Sequence, residues 1–116
     1  MAAAERVICD GAALLEAGDG IRFDIDWQGR SVNAFAIRYG GVVHAYLNRC
    51  AHVAVELDWQ PGRFFDVDGM HLICSTHGAT YAPDSGLCVN GPCKGAALIP
   101  VPVEEVNGKV VHKSHD

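Results

Sequence analysis

Long apolar runs are what this chain most plainly lacks: nothing in it approaches the roughly 20 consecutive apolar residues that a membrane-spanning helix needs. The opening MAAAERVICD places charged residues where a secretory signal would hold an apolar core, and no twin-arginine pair precedes one. The expected location is therefore the cytoplasm. Basic residues are scarce, with 9 Lys and Arg against 14 Asp and Glu and a formal net charge of −5. Neither the total nor any local Lys/Arg run supplies the charge that a nucleic-acid or anionic-membrane surface requires. Repeats, low-complexity segments and Ser/Pro linkers are missing as well, so a single domain over residues 1–116 is expected. No stretch carries an apolar stripe at helical spacing over ten residues, which excludes a helical bundle.

What is present is period-two patterning. Hydrophobic residues make up 49% and charged residues 20%, an ordinary globular balance. A short strand is expected around Val7 and Ile8, then at most one helical turn at "AALLEAG". In "IRFDIDW", Ile21, Phe23, Ile25 and Trp27 share one face, while Arg22, Asp24 and Asp26 are expected to face water. "QGR" turns into "SVNAFAIRY" and "GG" into "VVHAYL", which gives an antiparallel meander. "RFFDVDGMHLIC" reads as a hairpin turning at Asp68-Gly69 whose second strand delivers Cys74. "ALIPVPVEEVNGKVVHK" reads as two closing strands about Asn107-Gly108, with Pro100 and Pro102 marking a sheet edge. The fold class is mostly β: small antiparallel sheets in a sandwich or barrel.

Against this background stand two mixed pairs, Cys50-x-His52 and Cys74-x-x-His77, each where a strand is expected to run into a loop. The 21 residues 53–73 between them suffice for a strand out, a turn and a strand back. A lone Cys or His is usually a small buried hydrophobe or a hydrogen-bonded core histidine. Two mixed pairs at ligand spacing point to a metal. A tetrahedral Cys₂His₂ zinc site is one reading, although structural zinc fingers usually take both cysteines from one knuckle and both histidines from another. The other is a two-iron two-sulfur centre with two thiolates on one iron and two imidazoles on the other.

The two boxes, Cys50-Ala51-His52 with Leu57 five positions on and Cys74-Ser75-Thr76-His77-Gly78, resemble those of the Rieske family, and in particular its small soluble ferredoxins. The likeness extends to Tyr81, to the "APDSG" turn and to Gly91-Pro92 as a proline loop shielding the cluster. It implies a Rieske-like fold with a two-loop cluster-binding part at about 48–95 and one 2Fe-2S cluster per chain. On this resemblance Cys50 and Cys74 bind the inner iron and His52 and His77 the outer, with Ala79, Tyr81, Gly91 and Pro92 beside the cluster. Neutral imidazoles remove negative charge and raise the potential above that of an all-cysteine cluster.

Departures from the family pattern carry information. Ala51 and Ala54 stand where proline and glycine are common, and the stretch between the boxes is longer than in many small ferredoxins. That extension, with Glu56 and Asp58, is expected to belong to a partner surface. Ala79 replaces the serine of high-potential members and neither box holds an additional cysteine, which implies the lower part of the Rieske range. Tyr81, as a phenol donor to a ligand thiolate, acts in the opposite sense.

Cys88 and Cys93 read either as reduced thiols beside the cluster or as a disulfide across the proline loop. Cys9 reads as a core-facing strand residue, His44 and His71 as structural, Trp27 and Trp59 as packing anchors. His112 and His115 fall in a polar C-terminal tail, about 112–116, that is a candidate for disorder.

The functional expectation is a one-electron carrier without a substrate pocket, a non-catalytic component of an oxidoreductase system. No Gly-rich dinucleotide fingerprint is present, so a separate reductase would supply the electron to a terminal oxygenase or another redox protein. The alternatives are a small non-catalytic Rieske subunit of a larger reductase such as nitrite reductase, and a zinc or redox-sensing interaction module.

Overall fold

The computed structural model describes residues 5–49, 57–58, 62–66, 69–74, 78–91 and 96–113. Three three-stranded antiparallel sheets account for the named strands. The central one is the expected meander of β2 (Ile21–Trp27), β3 (Arg30–Tyr39) and β4 (Val42–Leu47). Its tight turns form because Gln28 and Gly29, and then Gly40 and Gly41, take positive φ, the conformation that two-residue hairpin loops demand. The Glu16 carboxylate accepts from Gly40 N at 2.6 Å and Gly41 N at 2.8 Å, which holds it below the usual carboxylate range.

A second sheet joins β1 (Glu5–Asp10), β9 (Lys109–Lys113) and β8 (Val103–Val106) in the order β1-β9-β8. Asn107 and Gly108, both at positive φ, make the turn expected of that dipeptide. The one helical turn expected near residue 12 is a 3₁₀ turn, Gly11–Ala13. The third sheet is β5 (Leu72–Ile73), β6 (Thr80–Tyr81) and β7 (Cys88–Asn90). Among the described residues no helix is long and apolar enough to cross a membrane.

β3 shows how the layers stack. Residues 34–37 are all fully buried, and alternation sends them to two different cores. Ala34 and Ala36 join Ile25, Val43, Ala45, Leu47, Val101 and Val110 on the side of the β1-β9-β8 sheet. Phe35 and Ile37 join Leu57, Phe64, Leu72, Cys74, Ala79, Tyr81 and Cys88 on the other side. Phe35 stacks on Phe64 with ring centroids 3.9 Å apart and planes 11° from parallel. The central sheet is therefore covered on both faces, as a strand with four consecutive buried apolar residues requires.

The face carrying Ile21, Phe23, Ile25 and Trp27 is the expected one, with Ile25 buried and the other three packed against the same core. Arg22 departs from expectation: it is half-buried, because the face it occupies is covered by the segment that carries Asp58. His112 also departs. It lies in β9, paired with Arg6 and Val103, is 8% exposed and has its ring 6.1 Å from that of Phe23. Residues 114–116 lie outside the described residues.

The chain leaves the central sheet at Leu47 and comes back to it at Ile99, whose carbonyl accepts from Leu47 N at 2.9 Å; Val101 N then donates to Ala45 O at 2.9 Å. Pro100 and Pro102 precede β8, at positions where their missing N–H groups face away from β4.

Candidate functional site

The site is built on the third sheet. β5 starts from a hairpin-like return in which Ile73 N donates to Phe64 O and Asp66 N to His71 O, with Gly69 at positive φ as its turn residue. Val67 and Asp68 lie outside the described residues. The strand ends by presenting Cys74, which is fully buried. Two backbone hydrogen bonds then close across the second box: Gly78 N donates to Cys74 O, and Cys74 N to Ala79 O, both at 2.8 Å. Gly78 at φ 73° supplies the left-handed backbone that this closure needs.

Ala79 and Tyr81 are also fully buried, in the same core as Cys74 and Leu57. Tyr81 pairs with Leu72 on one side and Cys88 on the other. Gly91, at φ 102°, lies against Ala79 so closely that an added Cβ would come within 2.8 Å of the Ala79 Cα. Backbone meets backbone at that point, where only glycine fits. Cys88 Sγ donates to Asn90 O at 3.3 Å. Beneath this sheet the turn at residues 82–87 is tied down by Tyr46, whose buried hydroxyl donates to Pro83 O at 2.8 Å. Burial, with Asp84 adding to it, pushes the Tyr46 phenol up to about 12.

Of the expected ligands, Cys74 is placed as described, while Cys50, His52 and His77 lie outside the described residues, as do Pro92, Cys93, Glu56 and Trp59. The described residues that flank the first box in sequence are bonded to one another. Asn48, directly after β4, is buried. Its Oδ1 accepts from Leu57 N at 2.9 Å, and its Nδ2 donates to Asp58 Oδ1 at 2.9 Å and to Asn33 Oδ1 at 2.8 Å. Asp58 Oδ2 accepts from Gly62 N at 2.9 Å and lies 3.7 Å from Arg22 Nε.

Asp58 therefore does not belong to a partner surface: its side chain has no exposure. The expectation failed because a carboxylate in an apparently polar stretch, "ELDWQPG", gives no local sign that its partners include Arg22 of β2 and Asn48 at the end of β4. Asn48, Asn33 and Gly62 were missed for the same reason. His71 lies just ahead of β5, with Nδ1 3.8 Å from Asp66 Oδ2, and His44 is in β4. Cys9 is half-buried in β1, and burial raises its thiol pKa.

Residues 10–107 match the family model of the Rieske [2Fe-2S] domain. No curated protein sequence matches the chain. Among solved structures, the Sphingomonas yanoikuyae B1 ferredoxin is similar at TM-score 0.73 and 20% identity, over 97% of this chain and all (100%) of that one. A chain from a complex of reduced oxygenase and oxidized ferredoxin in carbazole 1,9a-dioxygenase aligns at TM-score 0.70 and 19% identity, over 97% of both. The terminal oxygenase of carbazole 1,9a-dioxygenase from Nocardioides aromaticivorans IC177 gives TM-score 0.71 and 24% identity over 97% of this chain, but only 30% of its own length. At these identities the likeness speaks for the fold.

Proposed function

Since the chain belongs to the Rieske 2Fe-2S domain family, we propose that it is a one-electron carrier, working in the cytoplasm between a reductase and a terminal oxygenase, with Cys50, His52, Cys74 and His77 as its cluster ligands. The observation that carries the reading is Cys74: a sulfur donor with no exposure, delivered by a strand end, in a turn closed by Gly78 and Ala79. The residues present fit the group, because thiolate and imidazole are the donors a mixed-ligand iron-sulfur centre takes. When bound, the 2Fe-2S cluster takes up one electron and returns it.

The protein's own part is positional. Cys50 and Cys74 would hold the inner iron, and the apolar packing of Leu57, Ala79 and Tyr81 around Cys74 excludes water from that side. His52 and His77 would hold the outer iron and offer imidazole edges to a partner. Such a partner interface is expected to be small and transient. The partner in this reading is supported by the ferredoxin and oxygenase components among the structural neighbours.

The test is direct. Purified protein should contain two irons and two acid-labile sulfides per chain, as a Rieske centre requires, and on reduction should show the anisotropic EPR signal of a histidine-ligated cluster. Stoichiometric zinc in protein made with ample iron would overturn the assignment. Stable co-purification with a large reductase would replace the mobile carrier by the subunit reading.

A further inference from the structure

Asn48 and Asp58 stand at the two ends of the segment that carries the first box, and they are bonded to each other. Every hydrogen of the Asn48 amide group has an acceptor, and its oxygen holds the backbone of Leu57. Asp58 continues the chain of contacts to Gly62 N, and Gly62 in turn accepts from Gly20 N at 2.7 Å ahead of β2. Asn33 Oδ1, which takes one Asn48 hydrogen, also accepts from Arg22 Nε at 3.1 Å. The start and the finish of the segment are thus fastened to one another and to two strands of the central sheet.

Stability alone is a weak reason for this arrangement. A buried carboxylate must be desolvated, and well-packed apolar side chains of similar size commonly do as well or better for stability. What a fully satisfied polar network supplies is a unique geometry. We propose that Asn48 and Asp58 are positioning residues for the cluster: they fix where the segment bearing Cys50 and His52 leaves the central sheet and where it ends beside Leu57, and so set those two ligands against Cys74. The proposal rests on the reading that Cys50 and His52 are ligands.

The experiment uses the whole protein with its cluster. Asn48→Ala is compared with wild type and with Arg38→Ala. Arg38 is a control of similar structural weight remote from the segment, since its guanidinium binds Leu14 O, Gly11 O and Glu105. In Asn48→Ala the reduced EPR signal should broaden, and iron should pass to a ferrous chelator roughly tenfold faster, the scale of one lost buried polar partner. Arg38→Ala should lower the melting temperature while leaving both readouts at the wild-type value.

Should Asn48→Ala hold no cluster, Asp58→Asn carries the same test. It keeps the shape, but its single carbonyl oxygen replaces the two carboxylate oxygens that now serve Asn48 and Gly62. Broadening and faster iron loss in that variant support the latch. A wild-type protein without the histidine-ligated signal would sink the ligand reading itself. With that signal intact, variants that match wild type in linewidth and iron release would overturn the latch, as would loss of all sheet structure in both variants.

Discussion

Strands in the central sheet run to seven, ten and six residues with an unbroken register, whereas β5, β6 and β7 contribute two, two and three and slip register between Thr80 and Tyr81. The first kind of sheet is specified by alternation and by turn residues. The second has too few ladder hydrogen bonds for that, so its shape depends on side chains buried against Phe35, Ile37 and Tyr46 and on glycines 78, 86 and 91 at positive φ. The comparison teaches that one domain can keep its folding information in one layer and its chemistry in the next.

Replacing Cys74, the proposed ligand, should separate the two layers most sharply. Cys74→Ser is expected to lose essentially all bound iron, and hydrogen exchange should then show protection falling in β5, β6 and β7 while the central sheet keeps its own, because metal binding free energy is folding free energy where a site is not otherwise preformed. Equal loss of protection in both sheets would break the comparison.

Next in size is Asp58→Lys. A surface charge reversal would cost little, within about 0.5 kcal/mol. Breaking a buried, hydrogen-bonded charge by removing its partner costs about 3–5 kcal/mol, and denaturant unfolding should find a loss on that scale here.

Smaller again is Tyr46→Phe, which cuts the hydrogen bond from the central sheet to the turn under the site and should cost about 1 kcal/mol. It also predicts a pH effect. The folded phenol titrates at about 12, above its ordinary 10.0, so the neutral form is the one folding favours. Its contribution is complete below about pH 10 and is lost as pH rises toward 12. Melting temperature should therefore fall less steeply over that interval in Tyr46→Phe than in wild type. Parallel curves would mean that other groups govern alkaline unfolding.

The finest distinction is within the site layer. Tyr81 is buried in the core that holds Cys74. If its hydroxyl favours the reduced state by ~1 kcal/mol, Tyr81→Phe should lower the potential by ~40 mV. Voltammetry showing no shift would mean that the phenol serves packing alone.

The same division explains which residues could be read in advance. "IRFDIDW" alternates cleanly and "QGR", "GG" and "NG" mark turns, so the meander and the closing hairpin follow from local chemistry. Period-two patterning tells which residues share a face but not whether that face is covered. Arg22 was therefore expected in water, although the run Ala34, Phe35, Ala36, Ile37 already hinted that both faces of β3 are buried. Cys74 drew attention because a Cys-His pair repeats at a recognisable spacing, and its burial at a strand end follows from the hairpin expected before it. Asn48 and Asp58 share no such spacing with their partners Arg22 and Asn33, and contacts between segments far apart in sequence leave no local trace. His112 was assigned to the tail because Lys113, Ser114 and His115 surround it with polar residues, yet its ring meets Phe23 across the sheets.

Leu47 N and Ile99 O, 2.9 Å apart, are the two gateposts through which the whole site-bearing half of the chain departs and returns. The frame between them sees that half as one long loop with adjacent ends. Closing such a loop costs only ~0.6 kcal/mol more each time its length doubles. Added length between the two boxes therefore costs the strands that carry the fold little in closure entropy. Carriers of different reach could be grown on one chassis by lengthening what hangs from these two residues, without moving a single rung of the ladder behind them.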